Sequence, residues 1–136
     1  LKASDETMVR FYRLLGNTFY SFAMADKSVR QEEMEKLKEL VQKEWLLMED
    51  SFDVFGSDSA HQIEIVFDWL VENDCEYEQI IPEFKNFKLE HNSLFTPEVN
   101  ALILKTATAI ANSFSGKNKS EHVLISRLKS ILEETN

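Results

Sequence analysis

Three glycines and two prolines in 136 residues leave little material for tight turns. A fold of many short strands needs turn residues every ~8–12 positions, so this scarcity excludes an all-β architecture and favours long helices with few connections. One cysteine, Cys75, excludes an intramolecular disulfide and favours a reducing compartment, so a cytoplasmic location is expected. No stretch reaches the ~20 apolar residues that cross a membrane. The most apolar run, Val99 to Gly116, is interrupted by Lys105 and by several Thr and Ala. Also absent are a Gly-rich phosphate loop, a Gly-x-Ser-x-Gly elbow, a His-x3-His pair and the Glu-x-x-His repeats of di-iron bundles. No catalytic centre is legible, and the chain reads as non-enzymatic. An enzyme with dispersed catalytic residues, which leave no local motif, is a second alternative.

Basic residues are missing from one long region. Between Lys43 and Lys85 there is no Lys or Arg, while twelve Asp and Glu fall there. Net charge is −9 overall, divided as −11 over residues 1–98 and +2 over residues 99–136. Such a field repels nucleic-acid phosphates and anionic membrane surfaces, so no nucleic-acid partner and no direct membrane insertion are expected. It attracts a basic protein partner or a divalent cation, and it also serves simply as a solvated face.

What is present is helical periodicity throughout a chain of single-domain length. Met8, Phe11, Tyr12, Leu15, Phe19 and Phe22 share one face of a first helix, capped by Ser4 or Asp5 and ending near Ala25. Met34, Leu37, Val41, Trp45 and Met48 form the stripe of a second, about Gln31 to Leu47, with Glu49 to Ser59 expected as a loop. A third helix starts near Ser59 and turns Ile63, Val66, Phe67 and Leu70 inward. The fourth segment, about Cys75 to His91, contains Pro82, which either kinks it or sits in a first turn. Thr96-Pro97-Glu98 is a helix start: a capping Thr, Pro at the first position, then an acid. That fifth helix, running to about Phe114, carries small and apolar residues on both faces, including Ala101, Leu104, Ala107, Thr108 and Ala111. It is therefore expected at the centre of the bundle. Leu124, Ile125, Leu128, Ile131 and Leu132 mark the last helix. The reading is an all-α, single-domain bundle of about six helices.

Two segments resemble each other: Ala23 to Met34, and Ala109 to His122. Each is an alanine-bearing helix end, a short polar turn, and an acid opening a new amphipathic helix, as in two pseudo-symmetric helix–turn–helix units around a central apolar helix. In these residues the chain resembles the TerB-like (tellurite resistance) family, also seen in the N-terminal part of certain DnaJ-like co-chaperones. That family repeats a turn of the form Ala-Asp-Gly-x-[Ile/Val]-x-x-x-Glu. The first copy here, Ala25-Asp26-Lys27-Ser28-Val29-Arg30-Gln31-Glu32-Glu33, has Lys27 in the glycine position; the second keeps Gly116 but has Ser115 in place of the Asp. The resemblance implies an all-α, pseudo-twofold domain, an association with stress response, and a divalent cation held by acids of the turn. By position those are Asp26 and Glu33, with Glu32 beside them.

The same acids have a folding role that accounts for them fully: Asp26 caps a turn, and Glu32 and Glu33 complement a helix N-terminus. Glu64, Asp68 and Glu72 form one acidic column, with His61 a turn before it. One helix cannot by itself surround a hard cation, so Glu64 and Asp68 join a metal site only if Glu49, Asp50 or Asp53 folds over them. Phe52, Phe55 and Trp69 are candidates for an apolar groove, with core packing the expectation for each. Two functions stand: a non-catalytic module docking other proteins, and a divalent-cation-binding protein.

Overall fold

The computed structural model describes residues 5–24, 31–50, 59–73, 80–112 and 119–133. Helix α1 (Asp5–Ala23) is followed by α2 (Gln31–Leu40), which runs without a break through a π-helical turn (Val41–Trp45) into α3 (Leu46–Asp50). A 3-10 turn (Ser59–His61) leads into α4 (Gln62–Glu72). Then come α5 (Ile80–Glu90), a second 3-10 turn (Asn92–Leu94), α6 (Pro97–Asn112) and α7 (Lys119–Glu133). Counting the α2–π–α3 rod as one, six helices and no strand are found among the described residues. The architecture is the expected all-α single-domain bundle.

Several boundaries differ from the sequence reading. The rod continues through Asp50 rather than stopping near Leu47, because Leu46, Leu47, Met48 and Glu49 are all strong helix formers. Pro82 lies in the first turn of α5, where its missing N–H leaves no bond unmade. Thr96 caps α6 as expected, its Oγ1 accepting a bond from the Val99 backbone N–H at 3.2 Å. The turns after α1 and α6, the expected loop around Phe52 and Phe55, and Cys75 lie outside the described residues.

The helix that meets the most neighbours among the described residues is α1, not α6. It packs against α4, α5, α6 and α7. Its aromatic side chains serve as the hub of the core. Phe11 meets Phe87 of α5 and Phe95 before α6, with ring centroids 5.8 and 5.3 Å apart. Tyr12 and Phe19 meet Trp45 at 6.4 and 6.3 Å, and Tyr20 meets Phe67 of α4 at 6.0 Å. Thr18 and Ser21 are buried in the same helix. They are tolerated because each hydroxyl donates to a carbonyl of its own helix, Thr18 Oγ1 to Leu14 at 2.8 Å and Ser21 Oγ to Thr18 at 2.6 Å. Helix α6 buries Val99, Leu102, Ile103, Thr106, Ala107 and Ile110, but Ala101 and Thr108 are exposed. Helix α2 packs on α6 and α7 reaches α1, reciprocal contacts that suit a twofold relation of two helix–turn–helix units. Helix α7 also lies along α6, a contact with no equally extensive counterpart between α1 and α2.

Two features fix the packing. At the α1–α4 crossing, a Cβ added at Gly16 would stand 2.7 Å from the Ile63 carbonyl oxygen and 3.0 Å from Val66 Cβ. Only a residue without a side chain lets the backbones approach this closely. On the other side, the π turn coincides with Trp45, the largest fully buried side chain. Its Nε1 donates to Thr106 Oγ1 of α6 at 3.0 Å, and Thr106 in turn donates to the Leu102 carbonyl at 2.8 Å.

Gly16→Ala is expected to destabilise the fold by about 1–3 kcal/mol, although alanine is the better helix former by ~1 kcal/mol. Thermal melting followed by circular dichroism reads this as a drop of roughly 5–10 °C. An unchanged or raised melting temperature would show that α1 and α4 spread at no cost. Thr106→Val leaves the buried Trp45 N–H without an acceptor and should cost ~1–3 kcal/mol in urea unfolding. A neutral effect would mean that the indole finds another partner.

Candidate functional site

Helix α4 presents its inner side to α1 through Ile63, Phe67 and Leu70, all buried. By helical period its outer side carries Ile65 and Trp69, four residues apart and one turn above one another. Trp69 is 58% exposed and Ile65 52% exposed. The core packing expected for Trp69 is therefore not what the structure shows. Ile65 was not singled out in the sequence, yet its position out of phase with the Ile63–Phe67–Leu70 stripe is the signal that marks both residues.

The charges of this helix are all negative, and each acid of the column has a different setting. Glu64 lies 2.6 Å from His61 Nδ1. Asp68 accepts from Lys38 of α2 at 3.2 Å, while its other carboxylate oxygen is buried with no hydrogen-bond partner among the described residues. Glu72 is exposed at the C-terminal end, beside Trp69. Arg13 of α1 donates to Gln62 at 3.2 Å at the other end. The outer side of α4 is thus an apolar pair flanked on one side by an acidic column, with one neighbouring lysine engaged by Asp68.

These carboxylates do not converge. Among the described residues no three His, Cys, Asp or Glu side chains come together in a way that would hold a metal ion. Asp26 lies outside the described residues. Glu33 belongs to α2, but its side chain is not described; Glu32 is exposed on the same helix. Glu64 and Asp68 are engaged by His61 and Lys38 rather than by each other.

Two concave surfaces lie elsewhere among the described residues. A groove of about 590 Å³ runs between the α2–π–α3 rod and α6. Leu47, Met48, Ala101 and Leu102 form its apolar lining, with Lys43, Glu44, Glu98 and Lys105 around them. Leu47 is 67% exposed there. The rim charges are largely matched: Lys105 donates to Glu44 at 2.8 Å and Lys43 to Glu39 at 3.2 Å. The hydrogen bond from Lys43, with Lys36 nearby, holds the Glu39 carboxyl below the usual carboxylate range. A second cleft, about 410 Å³, sets Arg10, Arg13 and Asn17 of α1 opposite Glu83, Asn86 and Glu90 of α5. Arg10 lies over the Phe87 ring at 5.5 Å there. No described helix is long and apolar enough to cross a membrane.

Comparison with protein-family models, with curated proteins and with solved structures finds no match to this chain.

The two tryptophans give a direct test of the α4 surface, since Trp45 is buried and Trp69 exposed. At fixed ionic strength, the ratio of caesium to iodide quenching should exceed that of free N-acetyltryptophanamide, because the acidic border attracts the cation and repels the anion. Trp69→Phe should abolish most of the quenching. A ratio equal to or below that of the free compound would show that no negative field surrounds Trp69.

Proposed function

We propose that this chain is a non-catalytic helical module of the TerB-like kind that docks another protein through the outer side of α4, in a stress-response setting in the cytoplasm. The observation that carries the docking role is the juxtaposition of Trp69 and Ile65, both more than half exposed, on one turn of one helix. Single exposed apolar residues are ordinary; a large aromatic stacked over an aliphatic on a rigid element is the composition of an interface anchor. The position is rigid because the opposite side of α4 is clamped on α1 at Gly16. A rigid anchor loses little conformational freedom when it is covered, so more of the burial free energy is retained as affinity.

The TerB-like assignment rests on the Ala25–Glu33 turn and on the layout of the helices that flank the two turns. Helices α1, α2, α6 and α7 stand in the order that two helix–turn–helix units would have, and the α2–α6 and α1–α7 contacts are reciprocal. The stress-response setting and the location come from that resemblance and from the single cysteine.

Photocrosslinking in producing cells tests the docking role. A benzophenone amino acid at position 65 or 69 should give discrete adducts with another protein. The same group at Val123 of α7, which is equally exposed at 59%, should not. Identical adduct patterns from positions 65, 69 and 123, or none from any of them, would remove the docking reading.

A further inference from the structure

We infer that the partner bound by α4 is a basic amphipathic helix, with an apolar ridge for Ile65 and Trp69 and with Lys or Arg along the side of that ridge that meets the Glu64–Asp68–Glu72 column. This rests on the docking reading and adds the chemistry of the partner. The shape comes from α4 itself. Its exposed apolar atoms form a short ridge along a straight helix, and a ridge of that kind is matched by the groove between side-chain rows of another helix.

The sign comes from the charges around that ridge. Gln62–Glu72 contains Glu64, Asp68 and Glu72 and no Lys, Arg or His. The surrounding stretch from Glu44 to Phe84 is equally free of Lys and Arg. Among the described residues, the one basic side chain bonded to the acidic column from another helix is Lys38, which meets Asp68 and is itself 44% exposed. A cation of the partner can therefore take its place on Asp68 or pair with Glu72, whereas an acidic partner meets only like charge. Opposed charges at such a border govern encounter rate and partner choice more than gross affinity. The apolar pair supplies the contact, and the acids decide which helix makes it.

Three designed 18-residue helices test this, identical in their apolar stripe and carrying Lys and Arg, Glu, or Gln on the polar side. Binding is read by anisotropy of the labelled peptide and by the emission of Trp69. The basic peptide should bind about tenfold or more tightly than the acidic one and shift Trp69 emission to the blue. Its advantage should shrink as salt rises from about 0.05 to 0.3 M. Asp68→Asn with Glu72→Gln should remove the preference while leaving the Gln peptide bound, which separates charge selection from loss of folding.

Equal or tighter binding of the acidic or Gln peptide would overturn the basic partner and leave the docking reading standing. So would binding of the basic peptide that survives Ile65→Ser with Trp69→Ala, since the charge would then act elsewhere. If no peptide binds while positions 65 and 69 still crosslink in cells, the helical basic partner is wrong and the docking face remains. Absence of both signals removes both. A blue shift of Trp69 on phosphatidylcholine vesicles without any peptide effect would assign the ridge to a lipid surface instead.

Discussion

The arrangement depends on how closely α1 and α4 approach. At Gly16 the two backbones leave no room for a methyl group, with the Ile63 carbonyl oxygen 2.7 Å from where a Cβ would stand. This contact does more than save space. It fixes the rotation of α4 about its own axis, because Ile63 and Val66 are the residues that meet the glycine. Once those two face α1, helical geometry places Ile65 and Trp69 on the side away from it. The exposed apolar pair is therefore tied to this close contact.

The rest of the bundle is organised by α1 on its other sides. Its aromatic residues spread over about half of the helix circumference, so they reach several neighbours at once. Phe11 engages α5 and the segment before α6, Tyr12 and Phe19 engage Trp45 of the rod, and Tyr20 engages α4. Trp45 then transfers the constraint to α6 through its bond to Thr106. A buried indole N–H without an acceptor would cost about as much as several of these ring contacts contribute, so the threonine is as much part of the core as the rings. Lys88 shows the same economy on the α5 side. It is 4% exposed, donates to Asn92 at 3.3 Å, and lies 5.9 Å from the centre of the Phe95 ring. Its aliphatic stem packs while its charge is met by an acceptor and a ring face.

The periodic stripes made the helices legible, and with them the bundle. The capping Thr96 and the inward residues of α4 and α6 could be read from spacing alone. What could not be read was which helix lies at the centre. Helix α6 reads as central because small and apolar residues occur all round it, yet Ala101 and Thr108 are exposed. Helix α1 reads as one-sided from its Met8–Phe22 stripe, which leaves out Gly16, Thr18 and Ser21. Those residues are buried because a glycine permits close approach and because the hydroxyls bond to their own helix. The close approach depends on a neighbouring helix that a one-dimensional pattern does not contain. Trp69 was misplaced for a related reason. Tryptophan is usually covered, and that tendency outweighed the phase of the α4 stripe, which pointed correctly to the surface.

An exposed tryptophan over an isoleucine invites self-association as well as partner binding, and the acids of α4 bear on that choice. If two copies met through this ridge, Glu72 and its neighbours would be brought against their own duplicates. Like charge at close range costs free energy, more so as the border is desolvated. The chain carries net −9, so approach of a second copy is opposed at long range too. The same field disfavours any polyanionic surface. A ridge that attracts apolar matter, within a border that rejects negative charge and duplicates of itself, selects for a partner that is apolar and basic together. Specificity of this kind arises from what the border excludes, and it requires no pocket.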